Sequence, residues 1–278
     1  MRAGIFAKTF AGSTPLEVLS AAADCGYASV QYNMACSGIG SLPEAIAPEI
    51  AEAVRTASAA TGVEIAAISA TYNIIHPDVS KREAGRRSFV AIAERAASMS
   101  SRLLTVCSGS CNAQDQWSHH PDNQSPDAWR EMLGEFEALI EIADRHDILI
   151  GVEPELANVV DGAAKARTLI NTLGSPRIRV VLDPANLFEI ATPEISRNII
   201  ASAVDLLADR IIMAHAKDRQ ADGSFATAGK GVIDFDHLVG CLHRNGFDGS
   251  LVTHGLSAHE AGGVATFLAQ VIARQAAL

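Results

Sequence analysis

The sequence predicts an α/β fold, a single (β/α)8 TIM barrel in which eight parallel strands alternate with eight helices. Apolar, strand-like runs alternate with longer Ala-, Leu-, Glu- and Arg-rich segments of helical period, which is the pattern of a parallel α/β fold. A unit of one strand and one helix recurs about every 30 to 35 residues, and 278 residues is a usual size for one such barrel. No proline-rich linker or charge run divides the chain, so we expect one domain over residues 1–278.

The first half of the chain is predicted to contain the strands of the first four strand-helix units. The segment Ser13-Thr-Pro15 supplies a cap residue and a proline that suits a first helical turn, and Gly26 ends that helix. Gly62 closes the second helix in the same way. The predicted elements are, in order, a strand at 2–7, a helix from 15, a strand at 28–32, a helix at 43–61, a strand at 63–70, a helix at 82–99 and a strand at 102–107.

A long polar loop, residues 108–125, precedes the helix that Ser125 and Pro126 begin. Loops of this length in compact domains are more often functional lids than idle connections. Further along, Gly229-Lys-Gly231 predicts a flexible turn. The remaining predicted elements are a helix ending at 146, a strand at 148–153, a helix at 162–173, a strand at 178–183, a helix at 193–207, a strand at 211–215, a helix from about 234, a strand at 250–254 and a helix at 258–276.

The composition argues against a nucleic-acid or membrane function. A formal net charge of −10 opposes attraction to phosphate backbones. No apolar stretch reaches the ~18 residues of a membrane span, and the amino terminus carries charge too soon for a secretory signal. The five cysteines form no compact framework, which suits free thiols in a reducing compartment. We therefore expect a cytoplasmic protein with no nucleic-acid and no membrane partner.

Four strand-like runs in the second half each end in a side chain that binds divalent metals. These side chains are Glu153, Asp183, His215 and His254, spaced by about 30 to 40 residues, the length of a strand, a helix and two loops. A lone carboxylate at a strand end can instead cap a helix, and a lone histidine is commonly a core residue. The shared position of all four at strand ends favours a common site at the carboxyl-terminal rim of the barrel. Two carboxylates and two neutral imidazoles predict a divalent metal ion, Mn²⁺, Co²⁺, Zn²⁺ or Mg²⁺, as cofactor.

Other polar side chains near the same rim are candidates for substrate contacts. The candidates are Asn73, His76, Trp117, His120, Glu155, Asn158, Asn186 and Asp218. An aromatic face such as that of Trp117 stacks on the C–H surface of a sugar, although the same residue can simply pack the long loop onto the barrel. Lys217 is a candidate for stabilising negative charge on a substrate oxygen. Its alternative role is a surface ion pair with Asp218, which would contribute little.

At these residues the chain resembles the xylose isomerase-like TIM barrel superfamily, which includes the sugar phosphate isomerase/epimerase family. The similarity spans essentially the whole chain. The motifs that carry it are Gly-Val-Glu153-Pro-Glu, Val-Leu-Asp183-Pro-Ala-Asn186, Ala-His215-Ala-Lys217-Asp218, Gly229-Lys-Gly231 followed by Asp234, and Gly246-Phe-Asp-Gly249.

The resemblance implies a divalent metal that holds adjacent hydroxyl and carbonyl oxygens of a sugar, sugar phosphate or polyol while a proton moves through an enediolate. Glu153 matches the first of two glutamates that act in the family's epimerases. The second is expected at the end of strand eight, where this chain has His254. The resemblance therefore implies Glu153 as base and His254 as its partner acid or base, with Lys217 beside them. It is also compatible with a homo-oligomer.

The histidine at the end of strand eight leaves several reactions open. A one-base isomerisation, an epimerisation shared by Glu153 and His254, and a dehydration are each compatible with it. A hydro-lyase resembling the inosose dehydratases would form an unsaturated product, whereas an isomerase forms a product of equal mass. A catalytically degenerate, sugar-binding barrel would bind its ligand without exchanging solvent deuterium into it. All of these alternatives predict a small sugar or polyol as the partner.

Overall fold

A computed structural model describes residues 1–277, and within them eight parallel strands form a closed barrel. The strands are β1 Arg2–Phe6, β2 Ser29–Tyr32, β3 Glu64–Ser69, β4 Leu103–Cys107, β5 Leu149–Glu153, β6 Ile178–Leu182, β7 Ile211–Ala216 and β10 Ser250–Thr253. Around the barrel the order is β1-β10-β7-β6-β5-β4-β3-β2, so β5, β6, β7 and β10 are consecutive neighbours. The predicted TIM barrel is confirmed.

The helices cover the outside of the barrel, and apolar side chains between helices and strands form a continuous core. They are α1 Pro15–Asp24, α2 Pro48–Thr61, α3 Val79–Ala96, α4 Pro126–His146, α5 Ala163–Leu173, α6 Pro193–Leu207, α7 Phe235–Arg244 and α8 Ala261–Ala276. The predicted cap of α1 is present, since Thr14 and Glu17 form a reciprocal capping box. Ser125 likewise accepts a hydrogen bond from the backbone of Ala128 at the start of α4. No helix within residues 1–277 has the length and apolar character needed to cross a membrane.

Two helix boundaries differ from the sequence-based expectation. Helix α2 begins at Pro48, not at residue 43. In a helix starting at 43, Pro48 would lie beyond the first turn, where its ring clashes with the preceding turn and its missing N–H removes a hydrogen bond. Helix α3 begins at Val79, because the side chain of Asp78 accepts a hydrogen bond from the backbone N–H of Ser80 and caps it.

A short antiparallel hairpin between β7 and α7 was not predicted. Its strands are β8, Asp218–Arg219, and β9, Phe225–Ala226, each only two residues long. The sequence signal was weak because a strand of two residues has no measurable periodicity. The hairpin stands on the carboxyl-terminal side of β7 and carries Phe225 to the mouth of the barrel.

The inside of the barrel changes from apolar to polar along the strands. One end is filled by an apolar cluster of Ala67, Leu103, Val181, Met213 and Val252. Toward the other end, Gln31 Nε2 donates a hydrogen bond to Thr105 Oγ1 at 2.9 Å inside the barrel. The polar end is therefore the one that carries the carboxyl-terminal strand ends, where barrels of this kind hold their functional residues.

Candidate metal centre

Four neighbouring strands bring the four predicted ligands together. Glu153 is the last residue of β5, Asp183 directly follows β6, His215 lies in β7 and Thr253, the last residue of β10, precedes His254. One potential ligand atom from each of Glu153, Asp183, His215 and His254 lies within 4.8 Å of all the others. Residues far apart in the sequence converge because parallel strands present their carboxyl ends at one rim.

Within this cluster, carboxylate oxygens face imidazole nitrogens. Asp183 Oδ2 lies 3.0 Å from His254 Nε2 and 3.7 Å from His215 Nδ1. His215 Nδ1 also lies 3.1 Å from Glu153 Oε1. Burial raises the pKa of Asp183, but its hydrogen bonds with the two histidines outweigh burial and leave the pKa below its ordinary value.

The two histidines respond differently to this environment. Burial lowers the pKa of His215, but Glu153 and Asp183 outweigh it and raise the pKa to about 9. Burial and the neighbouring His215 lower the pKa of His254. In the absence of a cation, a proton on His215 therefore compensates part of the buried negative charge. A divalent cation would take over that role and release the proton.

Gln31 determines which nitrogen of His215 faces the cluster. Because the amide nitrogen of Gln31 is used by Thr105, its Oε1 faces His215 Nε2 at 2.8 Å and accepts a hydrogen bond from it. The Nε2 atom is then the protonated one, and the lone pair of neutral His215 lies on Nδ1, directed at Glu153 and Asp183. This is the tautomer that a metal ligand requires, and a partner on the far nitrogen is the usual support of a metal-binding histidine.

Asn186 supports the glutamate in a similar way. Its Nδ2 donates a hydrogen bond to Glu153 Oε1 at 3.0 Å, while its Oδ1 is buried without a hydrogen-bond partner among residues 1–277. Asp183 is oriented by the backbone N–H of Ala185, which donates to Oδ1 and leaves Oδ2 toward the histidines. Two oriented carboxylates and two imidazoles in a water-poor site form a donor set that fits a divalent cation.

A cavity of about 310 Å³ opens above the cluster. Its lining residues are Phe6, Gln31, Ser69, Thr71, Trp117, Glu153, Glu155, His215, Lys217, Phe225 and His254. Burial, and then the neighbouring charge of Glu153, raise the pKa of Glu155 to about 7. Of the residues predicted to contact a substrate, Trp117 and Glu155 line this cavity, and Lys217 lines it as well.

Three other predicted contact residues, which follow β3 and β5, hold in place the long loop after β4. Asn73 donates to the carbonyl of Ser110 and accepts from its backbone N–H, and His76 bonds the carbonyl of Ala113 at 3.0 Å. Asn158 accepts from Gly109 and donates to the carbonyl of Gln116. Within residues 1–277, none of these three lines the cavity. They position the loop that carries Trp117.

His120 and Asp218 also lie outside the described cavity lining of residues 1–277. The ring of His120 accepts a hydrogen bond from the backbone of Asp122 and caps a short 3₁₀ helix, Pro121–Gln124. Asp218 is fully buried, and its carboxylate accepts hydrogen bonds from four backbone N–H groups, those of Arg219, Gly229, Gly231 and Ile233. A Cβ on Gly231 would clash with the carbonyl of Arg219 and the carboxylate of Asp218, which explains the glycine in the Gly229-Lys-Gly231 turn.

Replacing Asp218 by alanine should destabilise the protein by at least about 3 kcal/mol, because three backbone N–H groups of the following turn lose at once the fully buried carboxylate that accepts their hydrogen bonds. Urea unfolding of the parent and the variant measures this difference. Asp222→Ala is the matched control, since this exposed aspartate of the same region bonds only its neighbour Ser224 among residues 1–277. We expect less than about 1 kcal/mol for the control. Equal losses in the two variants would contradict the anchoring role.

Gln31 and Phe225 are among the cavity-lining residues that were not identified from the sequence. Gln31 is a buried amide between Val30 and Tyr32 of a fully buried strand, and that polar residue was the available signal. Phe225 gave no signal, because the hairpin that carries it is too short to recognise. Glu260, the first carboxylate after β10, bonds Ser257 and Thr227 and does not line the cavity within the described chain.

Gln31→Leu is expected to weaken metal binding about 10-fold to 100-fold, the usual effect of removing the partner of a metal-binding histidine. Isothermal titration with Mn²⁺ or Zn²⁺ measures the affinity. Thr105→Val is the companion variant, which removes only the hydroxyl that orients Gln31 and should cause a smaller loss. Unchanged affinity in Gln31→Leu would show that Gln31 does not support His215.

Comparison with solved structures agrees with this architecture. The chain superposes on the apo form of 3-keto-D-glucoside 4-epimerase, YcjR, from E. coli with a TM-score of 0.76 and 18% identity, covering 97% of this chain and 99% of that one. L-ribulose 3-epimerase gives a TM-score of 0.76 at 16% identity, with 99% and 95% covered. IolI protein with a bound zinc atom gives 0.74 at 14% identity, with 99% of both chains covered.

Sequence comparison assigns the family. A comparison with curated proteins gives no match. The profile of the family described as xylose isomerase-like TIM barrel, in contrast, matches residues 19–269, which include all four residues of the candidate metal centre. The chain therefore belongs to the xylose isomerase-like TIM barrel family.

Proposed function

We propose that this protein is a divalent-metal-dependent isomerase or epimerase that acts on a sugar, sugar phosphate or related polyol through an enediolate. The observation that carries the proposal is the convergence of four ligand atoms within 4.8 Å at the base of a cavity lined by Glu155 and Lys217. The structural relatives support the same class, since they include a 3-keto-D-glucoside 4-epimerase and an L-ribulose 3-epimerase.

Glu153, Asp183, His215 and His254 would hold the ion. When bound, a divalent ion acts as a Lewis acid that polarises a carbonyl and lowers the pKa of the adjacent C–H group. The similar IolI protein is described with a bound zinc atom, which supports a divalent ion as the cofactor of this fold. This donor set suits Mn²⁺, Co²⁺, Zn²⁺ and Mg²⁺ alike, and coordination geometry and metal availability select among them.

The protein's own groups would then move the proton. Glu153 faces the cavity, and its Oε1 is held by Asn186 and His215. Its second oxygen, Oε2, lies 3.9 Å from the thiol of Cys107 and is the atom available to take a proton from substrate carbon. His254 also lines the cavity; because its Nε2 faces Asp183 in the cluster, its other ring nitrogen, Nδ1, would return or remove a proton there.

Lys217 and Glu155 complete the polar walls of the cavity. The ammonium of Lys217 would stabilise negative charge that develops on a substrate oxygen, and the carboxyl of Glu155 would hold a substrate hydroxyl. Trp117 would cover the sugar and exclude water. The support for these roles is that the three side chains line the same cavity as Glu153, His215 and His254.

Solvent deuterium incorporation tests the function. The Mn²⁺-loaded protein is incubated in D₂O with a panel of ketohexoses, ketopentoses, 3-ketoglucosides and inososes, and NMR detects deuterium on the carbon next to the carbonyl. Exchange together with a new sugar isomer of equal mass is the expected result. Absence of both with every compound of the panel would overturn the proposed function.

A second carboxyl in the cavity lining, that of Glu155, favours one alternative reaction. A hydro-lyase needs a base for the C–H bond and a separate acid for the departing hydroxyl, and Glu155 lies in the cavity in addition to Glu153 and His254. A related structure carries the description of a probable 3-DHS dehydratase, AsbF. Loss of water from one of the same compounds, with an unsaturated product that absorbs ultraviolet light, would show that the protein is a hydro-lyase and not an isomerase.

A further inference from the structure

The cavity offers little positive charge to a substrate. Lys217 is the single lysine or arginine among its lining residues in the described chain, whereas Glu153 and Glu155 both line it and Asp183 lies at its base. A bound divalent ion would balance Glu153 and Asp183, and Lys217 would balance Glu155. The site would then be close to neutral without any contribution from the substrate.

Phosphate groups are recognised by different surroundings. A phosphate monoester carries a charge of about −1.5 to −2 near neutral pH, and proteins bind it with arginine forks, several lysines or the backbone N–H groups of a helix start. No arginine and no glycine is among the residues that line this cavity within residues 1–277. A phosphorylated sugar would therefore bring an uncompensated dianion beside Glu155.

The one lysine is also engaged by an aromatic ring. Lys217 Nζ lies 3.2 Å from the ring centroid of Phe225 on the β8–β9 hairpin. Arg219 packs on the same ring, with Cζ 4.3 Å from the centroid, but this arginine is buried and its guanidinium bonds the carbonyls of Ala185 and Gly223. Neither cation is presented as a free phosphate-binding group.

Two aromatic side chains face the cavity from separate loops. Trp117 and Phe225 leave 50% and 51% of their surface exposed, although hydrogen bonds anchor both loops, from Asn158 to the carbonyl of Gln116 and from the backbone N–H of Gly229 to Asp218. Large apolar surfaces left open at the mouth of a polar cavity match the C–H face of a sugar ring, which is apolar while its hydroxyls are polar.

We propose that the cavity takes an uncharged, non-phosphorylated sugar, with its apolar face against Trp117, and that it rejects sugar phosphates. This inference rests on the proposed function, because it concerns the substrate of the same site. It assigns to Phe225 an indirect role in specificity, because its ring holds Lys217, the one lysine of the described cavity lining.

The experiment compares matched pairs of ligands on the Mn²⁺-loaded protein. D-fructose, D-psicose and D-tagatose are compared with their 6-phosphates, by calorimetric binding and by solvent deuterium exchange. The free sugars should bind or react at least about 100-fold better than their phosphates, because a buried, uncompensated charge is strongly disfavoured. Inorganic phosphate should not compete with them.

Each outcome decides the inference separately from the proposed function. Free sugars that bind without deuterium exchange would support this inference while contradicting the proposed catalysis. Sugar phosphates that bind or react equally well or better would overturn the inference and leave the isomerase proposal standing. Failure of both classes to bind and to exchange would overturn both.

The aromatic contacts are tested by two variants with a control. Phe225→Ala and Trp117→Ala should each raise KM or Kd for the free sugar about 10-fold with a smaller effect on kcat, because the first removes the ring that holds Lys217 and the second removes the stacking surface. Ile195→Ala is the matched control, because Ile195 is 52% exposed on helix α6 and outside the cavity. Unchanged affinity in Phe225→Ala, with an intact fold by circular dichroism, would contradict the role of this ring.

Discussion

Asp183→Ala is expected to reduce the bound divalent metal from about one ion per chain to less than about a tenth, measured by elemental mass spectrometry after incubation with Mn²⁺ or Zn²⁺. Asp183 is fully buried, and its Oδ2 is the atom that both His215 and His254 approach. Without this carboxylate, two imidazoles and one glutamate remain, and the charge that balances a divalent ion is halved.

Thermal unfolding gives an independent readout of the same change. Metal that binds the folded state alone raises the unfolding temperature by mass action, so Mn²⁺ should stabilise the parent and leave Asp183→Ala unaffected. His254→Ala should also lose metal, which would assign this histidine to the ion. His259→Ala is the control, since this exposed histidine lies in a short 3₁₀ helix outside the cluster. A parent protein that takes up no divalent ion would contradict the metal centre.

Glu153→Gln is expected to lower the rate of solvent deuterium exchange at least about 1,000-fold, because the amide cannot accept a proton from carbon. Sugar binding should persist, since Glu155, Lys217 and the aromatic walls are unchanged. The measurement is made at saturating Mn²⁺ with metal content determined in parallel, which separates loss of the base from loss of the ion.

Glu260→Gln provides the matched control for this variant. Glu260 lies in the loop after β10, the last strand of the barrel, and its carboxylate bonds Ser257 and Thr227 outside the cavity. We expect exchange within about 2-fold of the parent. A large loss of exchange rate in Glu260→Gln together with a small loss in Glu153→Gln would place the base in the loop after β10 and contradict the assignment of Glu153 as the base.

The barrel and its candidate ligands were predictable because both depend on local patterns. Alternation of apolar runs with helical segments predicts βα units, and parallel strands place every carboxyl end at one rim whatever the details of packing. Glu153, Asp183, His215 and His254 could therefore be grouped from their position at strand ends alone. Helix boundaries were less certain, as the start of α2 at Pro48 shows, because cap and proline effects compete over a few residues.

Side-chain partners across the barrel could not be predicted in the same way. Gln31 and His215 are 184 positions apart in the chain, and their contact depends on how far each strand is shifted along the barrel. Asn73, His76 and Asn158 illustrate the same limit, since the polar groups that suggested substrate contacts are used to hold the loop of Trp117.

The sequence by itself determined the eight-fold alternation, the family and the four strand-end residues that could bind a metal, because each of these follows from the order and type of residues along the chain. Only the tertiary structure decided which polar groups face the cavity, that Gln31 orients His215 and that Phe225 covers Lys217. The direction of a side chain at a loop or rim depends on contacts between distant segments, and these contacts form only when the barrel closes.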